Sequence, residues 1–192
     1  MEPAKQPFQF DDPRQERIHR RLKALVGQGP ADFFEDACHL MHDPASLRTS
    51  SHLVSHSLRE IESALRDVLE SIGEREQRLQ KSKNGEQNHK DEISAILRAL
   101  HIPETDPVAA AWLRLPGYGL HARSHRNALT SARPADEDFR QFWNDMQWIF
   151  DVVLDKFETS YLAVYSLLDH TPPPLGRASR KSLRLSDVVV QR

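Results

Sequence analysis

This sequence has little cysteine and little glycine, and neither positive nor negative charge is in large excess. Its 192 residues include a single cysteine, Cys38, and seven glycines, and the formal net charge is −2. One cysteine cannot form an internal disulfide, which favours a reducing compartment, and its apolar neighbours predict a small buried side chain. A nearly balanced charge produces no global attraction to nucleic acid or to an acidic membrane, so any basic site must be local.

Long apolar runs are missing as well. No run approaches the roughly 18 apolar residues that identify a membrane-spanning helix, and the first residues, MEPAKQPFQFDDP, lack the apolar core of a secretion signal. We therefore expect a soluble, cytoplasmic protein without a membrane partner. The sequence also contains no internal repeat and no glycine-rich phosphate loop, and no cofactor is expected.

Composition divides the chain into three parts. Residues 1–13 carry three prolines without an apolar period and predict a flexible N-terminal arm. Residues 14–170 show helical periods and predict an all-α helical bundle domain. Residues 171–192 contain three consecutive prolines at 172–174 and carry five basic residues against one acid, which predicts a Pro-rich basic tail. Both termini are accordingly expected to be disordered or extended.

The most regular apolar pattern lies in residues 136–169. Apolar residues recur there every three or four positions, which is the period of one helix face, and neither glycine nor proline interrupts them. The pattern predicts one very long C-terminal helix whose apolar face is core. The predicted face comprises Phe139, Phe142, Met146, Ile149, Val153, Phe157, Tyr161, Val164 and Leu168, widened by Trp143, Phe150 and Leu154.

A second long apolar stripe lies in residues 49–72. We expect the last helix to pack against this one, because two such stripes must bury each other. Glu62 and Arg66 are four residues apart, which predicts an ion pair within the helix on a solvated face. The predicted stripe comprises Leu53, Leu58, Ile61, Leu65, Val68, Leu69 and Ile72.

Glycine and proline indicate the boundaries of the first two helices. Gly27 and the pair Gly29-Pro30 are predicted to end a helix over residues 14–26. A second helix is predicted over residues 31–42. Asp43-Pro44 ends it, because a residue before proline avoids the helical region.

The middle of the chain is more polar. Residues 74–91 are highly charged and predict an exposed loop with a turn at Asn84-Gly85, an exposed helical extension being the alternative. A short helix is predicted over residues 92–101. Residues 107–113 start a further helical stretch.

The chemically richest segment is residues 114–127, RLPGYGLHARSHRN. A turn before a helix exposes backbone amides, which together with arginine suit a phosphate, and histidine readily acts as general acid or base near neutral pH. We interpret Arg114, His121 and His125 as candidate catalytic residues. The candidate substrate-binding residues are Arg123, Arg126, His56 and Glu60.

Arg114 and His121 are separated by six residues, LPGYGL, and are followed by a short polar linker and the long last helix. This arrangement resembles HEPN domains, whose signature is an arginine, four to six residues and a histidine late in an all-α bundle. The resemblance covers roughly residues 14–169. It implies a metal-independent ribonuclease or a toxin-type defence effector that acts on RNA and builds its site across a homodimer. Arg114 would then bind the scissile phosphate, and His121 would activate the ribose 2′-hydroxyl or protonate the leaving oxygen.

Two other functions remain open. His52, His56 and Glu60 follow one another at four-residue spacing, as do His121 and His125, and two such rows on facing helices could hold a transition metal. Hydrogen-bonded polar residues are the alternative for these histidines. The chain could also be a non-catalytic module of the same fold that binds a partner chain through its basic tail and the apolar residues 188–190.

Overall fold

The computed structural model describes the backbone of residues 8–69, 85–115 and 135–170, and the side chains of residues 8–69, 89–115 and 135–162. Within these ranges the chain forms six helices and no strand, which confirms the all-α class. The helices are α1 (Pro13–Leu25), α2 (Gln28–His42), α3 (Ser50–Leu69), α4 (Gly85–Ala99), α5 (Pro107–Arg114) and α6 (Glu137–His170).

The chain separates into two compact units, Met1–Ser160 and Tyr161–Arg192. The first unit contains α1 to α5 and most of α6, with the whole of the core described below. The second contains the last residues of α6, which at 34 residues is the longest described helix, as predicted. None of the described helices is both long and apolar enough to cross a membrane.

Local sequence signals explain where α1 and α2 begin and end. Asp12 caps α1 by accepting a hydrogen bond from the Arg14 amide at 2.7 Å, and Pro13 occupies the first turn. Gly27, at φ 142°, separates α1 from α2. The assignment of Gly29 and Pro30 to the break was wrong, because α2 begins at Gln28 and a proline fits the first turn, where its missing N–H has no helical acceptor.

The structure corrects the middle of the chain. The loop predicted over residues 74–91 is helical from Gly85 onward, because α4 begins there. The turn predicted at Asn84-Gly85 is therefore wrong for Gly85, which is the first residue of a helix. The segment is rich in Glu, Gln and Lys, which have high helix propensity, and a polar composition therefore does not exclude a helix. Residues 74–84, and the predicted end of α3 at Ile72, lie outside the described ranges.

One contiguous apolar core joins all six helices. Phe142, Met146 and Val153 of α6 are buried in it, as predicted, and Phe34 of α2 stacks on Trp143 at a ring-centroid distance of 5.9 Å. Phe157 and Tyr161 are only half-buried, and the side chains of Val164 and Leu168 lie outside the described range.

The apolar stripe of α3 differs from the predicted one. Val54, Leu58, Ile61 and Leu65 are fully buried, whereas Leu53 is 38 % exposed and Val68, in the last turn, is also exposed. Leu53 is adjacent to Val54 in sequence and therefore points about 100° away from the buried face. α2 packs against α1 and α3, and α4 packs against α3 and α5. Direct packing of α6 on α3 stays a prediction.

Candidate functional site

Arg114 is the last residue of the short helix α5, and its side chain is exposed. Asp106 caps the start of α5 by accepting from the Val108 amide at 2.9 Å, and Pro107 occupies the first turn. The Arg114 guanidinium donates through Nε to the Ala110 carbonyl at 3.1 Å. This bond joins the guanidinium to its own helix, and no described contact occupies the two outer nitrogens.

A buried polar network anchors α5. The Trp112 indole N–H donates to Glu62 Oε1 on α3 at 3.2 Å, and the same oxygen accepts from Arg66 Nε at 2.8 Å. Arg66 also pairs with Glu92 on α4. Burial alone would lower the pKa of Arg66, but the two carboxylates outweigh it and raise that pKa. The network links three helices next to Arg114.

The predicted ion pair between Glu62 and Arg66 is confirmed, but its setting is not the predicted one. Glu62 is only 6 % exposed, so the pair does not lie on a solvated face. Pattern reading assigned Glu62 to the polar side of α3. The Trp112 indole, 50 residues away in sequence, supplies the partner that makes a buried carboxylate tolerable.

His56 and Glu60 lie together on an exposed part of α3. Arg59 donates to Glu60 Oε1 at 2.6 Å and lies 3.3 Å from His56 Nδ1, while His56 and Glu60 are 3.9 Å apart. Phe33 of α2 meets His56 edge-on at a ring-centroid distance of 6.3 Å. Since Arg59 engages Glu60, this carboxylate is already neutralised on the surface of the bundle.

The candidate catalytic residues are only partly visible. No contact among the described residues joins Arg114 to His56 or Glu60. His121, Arg123, His125 and Arg126 lie outside the described ranges, so their arrangement stays a prediction. The structure therefore describes where Arg114, His56 and Glu60 lie, but not a completed site.

A metal centre finds no support in the described part of the chain. No group of three or more His, Cys, Asp or Glu residues there is arranged to hold a metal ion. His52, His56 and Glu60 do not form such a group. The proposed row of His121 and His125 is outside the described ranges.

Sequence reasoning missed an arginine with three carboxylate partners. Arg21 of α1 is nearly buried and pairs with Asp151 at 3.1 Å, Asp155 at 2.5 Å and Glu158 at 2.9 Å, all on α6. Arg17, one turn earlier, also binds Asp151, at 2.8 Å. The sequence did contain a signal: the two arginines are four residues apart on α1, and the three acids follow one another at spacings of four and three residues on α6, so each set shares one helix face. Only the fold brings these two faces together.

Comparison with known proteins identifies no relative. A scan against protein-family models finds no match, and neither does a search of curated proteins or of solved structures. The functional interpretation therefore depends on the residues of this chain.

Proposed function

We propose that this protein is a metal-independent endoribonuclease of the HEPN-like kind, acting as a toxin or defence effector on RNA. The observation that carries the proposal is the exposed guanidinium of Arg114. It ends a capped, anchored helix and has no carboxylate partner within the described ranges, and it precedes His121 by seven residues.

The contrast with other arginines supports this role. Arg17, Arg21 and Arg66 are each held by one or more carboxylates, as expected of residues that stabilise the fold. The only described partner of Arg114 is a backbone carbonyl of its own helix. A guanidinium with uncommitted N–H groups can bind a phosphate at two points.

The chemistry needs a cation and proton transfer. In the proposed step, His121 removes the proton from the ribose 2′-hydroxyl, and the 2′-oxygen attacks the adjacent phosphorus. The bond from phosphorus to the 5′-oxygen breaks as that oxygen receives a proton, for which we assign His125. Arg114 stabilises the negative charge on the non-bridging oxygens. The products are a 2′,3′-cyclic phosphate and a 5′-hydroxyl, and no metal is required.

The remaining candidates would bind the substrate. Arg123 and Arg126 are proposed to contact neighbouring phosphates, and His56 and Glu60 to border the RNA path. A homodimer, which the HEPN resemblance implies, is proposed as the active form. The anchor of Trp112 on Glu62 supports the proposal because it restricts the position of α5 and therefore of the Arg114 backbone.

RNA cleavage in EDTA tests this proposal. The wild type should cut single-stranded RNA, and His121→Ala should reduce the rate by about 10²- to 10⁴-fold, the usual contribution of general acid–base catalysis. Arg114→Lys should also lose most activity, since an ammonium cannot reproduce a planar two-point contact. The matched control is Arg98→Lys, an exposed arginine of α4, which should cleave like the wild type. Full activity in both site variants, or an inactive wild-type dimer, would contradict the proposal.

A second candidate is a non-catalytic module that binds a partner chain. The observation in its favour is the exposure of Phe33, at 37 %, whose ring contacts the exposed His56. With a second copy of this chain as the partner, Phe33→Ser should weaken self-association, measured as the molar mass by light scattering, without lowering the melting temperature by more than a few degrees. This candidate would be favoured over the ribonuclease if the wild type does not cleave RNA and its molar mass in solution is larger than that of Phe33→Ser.

A further inference from the structure

Residues 8–12 precede α1 without helical structure and pack against both α1 and α2. The Phe8 ring lies edge-on to Phe10 at 5.2 Å and to His39 of α2 at 5.5 Å, and Phe10 lies 5.1 Å from the His19 ring of α1. We call residues 8–12 the strap. A loose arm was predicted over residues 1–13, but the strap is packed, because its two phenylalanines contact histidine rings of α1 and α2. Residues 1–7 lie outside the described ranges.

Two histidine–carboxylate pairs accompany this ring packing. His42 Nδ1, near the end of α2, lies 2.9 and 3.1 Å from the two carboxylate oxygens of Asp11 in the strap. His19 Nε2 lies 3.5 Å from Glu35 Oε2, which links the ring beneath Phe10 to α2. Each pair becomes a full ion pair only when its imidazole is protonated.

We propose that the strap is a pH-sensitive clasp, which protonation of His42 fastens to α2 through Asp11 and which loosens as the imidazole becomes neutral. The loosened strap exposes Phe8, Phe10 and the side of α2 that they cover. The proposal is independent of the ribonuclease reaction, because none of its residues belongs to the candidate site.

The charges around the clasp favour this direction. His42 faces Asp11 from the strap and Asp43 from the residue after α2, and both are acidic. Asp12 is paired with Arg14 of α1 at 3.6 Å, so that arginine compensates Asp12 rather than Asp11. Glu35 and His39 of α2, with His19 of α1, complete the titratable groups beside the strap.

The hydrogen bond to Asp11, and then its charge, raise the pKa of His42 above its ordinary value. A group whose pKa is raised by folding contributes its stabilisation in full below the unfolded pKa, about 6.5 for histidine, and loses it as pH rises through the folded value. The strap should therefore be held more tightly near pH 6 than above pH 8, where aspartate stays ionised.

Cys38 provides a built-in reporter. It is the only cysteine of the chain, is 2 % exposed and lies one residue before His39, which contacts Phe8. Burial, followed by the charges of Asp11, Glu35 and Asp12, raises the pKa of its thiol. Two strap carboxylates are thus close enough to act on the thiol, so loosening of the strap should increase its reactivity.

The experiment compares Cys38 labelling by 4,4′-dithiodipyridine in the full-length wild type and in His42→Gln. Taking the ratio of the two rates at each pH cancels the intrinsic pH dependence of the thiol. His42→Gln should react about two- to five-fold faster than the wild type near pH 6, the effect of losing one exposed ion pair. The ratio should be closer to 1 near pH 8.5, because the wild-type imidazole loses its proton as pH rises.

Two further variants make the result specific. Phe8→Ala removes the ring contact and should accelerate labelling at both pH values. His101→Asn removes an exposed imidazole far along the chain and should leave the rates unchanged. Amide hydrogen exchange of residues 9–12 is compared in the same way, as the ratio of the His42→Gln rate to the wild-type rate at each pH. This ratio should also be larger near pH 6 than near pH 8.5.

Three outcomes would overturn the proposal. A His42→Gln ratio that is the same at both pH values would show that protonation does not fasten the strap. Unchanged labelling in Phe8→Ala would show that the strap does not cover Cys38. Unchanged amide exchange of residues 9–12 in His42→Gln would show that Asp11 is not held by this histidine.

Discussion

Trp112 and Glu62 are joined by a hydrogen bond of 3.2 Å although 50 residues separate them in sequence, and both side chains are buried. The Glu62 oxygen that accepts this bond also accepts from Arg66. A single carboxylate oxygen therefore connects the anchor of α5 to the largely buried guanidinium of Arg66 on α3. Such a network stabilises the fold only while each member keeps its partner.

Removing the charge of Glu62 should be costly. Glu62→Gln leaves Arg66 with one carboxylate instead of two in a largely buried setting, and we expect the free energy of unfolding to fall by about 3 kcal/mol. Urea unfolding followed by fluorescence measures it. Glu60→Gln, on the exposed side of the same helix, is the matched control and should change stability by less than about 0.5 kcal/mol. Equal effects of the two variants would contradict the role of the network.

Arg21 should be the most sensitive arginine of α1. Arg21→Met removes the cation that faces Asp151, Asp155 and Glu158. Arg17 still binds Asp151, but Asp155 and Glu158 lose this partner. Because two of these acids are substantially exposed and screened, we expect a loss of about 2 kcal/mol rather than the full cost of a buried pair. Arg20→Met, an exposed neighbour, should leave the melting temperature nearly unchanged; a comparable loss there would refute the assignment.

His101 occupies a position suited to glycine. It follows α4 at φ 55°, and the next amide, of Ile102, donates back to the Leu97 carbonyl at 2.8 Å, an arrangement that commonly ends helices at glycine. His101→Gly should therefore stabilise the protein by about 0.5–1 kcal/mol, by relieving the left-handed strain of a side chain. Thermal unfolding measures the change. His101→Ala should show no such gain, and a lower melting temperature for the glycine variant would contradict the reasoning.

Gln147 of α6 is a buried polar residue whose side-chain oxygen is unpaired in the described structure. It is 1 % exposed, and its Oε1 atom has no hydrogen-bond partner in the described structure. An unpaired buried acceptor costs about 1–3 kcal/mol, so Gln147→Met, of similar shape, should raise the free energy of unfolding by about 1 kcal/mol. Gln141→Met, on the exposed side of α6, provides the control. Destabilisation by Gln147→Met would indicate that its amide has a partner after all.

The helical periods of the sequence determined the fold class and much of the core. The stripe of α6 was predicted correctly from Phe139 to Leu154, because one long uninterrupted period leaves a single way to bury its apolar face, whereas Phe157 and Tyr161 are only half-buried. Asp43-Pro44 and Pro107 indicated helix ends because their backbone limits are local. Arg114 could be singled out in the same way, from its spacing to His121.

The tertiary structure alone decided the polar relationships. Glu62 was read as a surface acid and is buried, since its partner Trp112 belongs to another helix. Arg21 meets acids 130 or more residues away, and the strap finds His39 and His42 only after α1 and α2 have packed together. A helical period reports which face of a segment is apolar, but the partner of a polar side chain depends on which helices become neighbours, and that is a property of the whole chain.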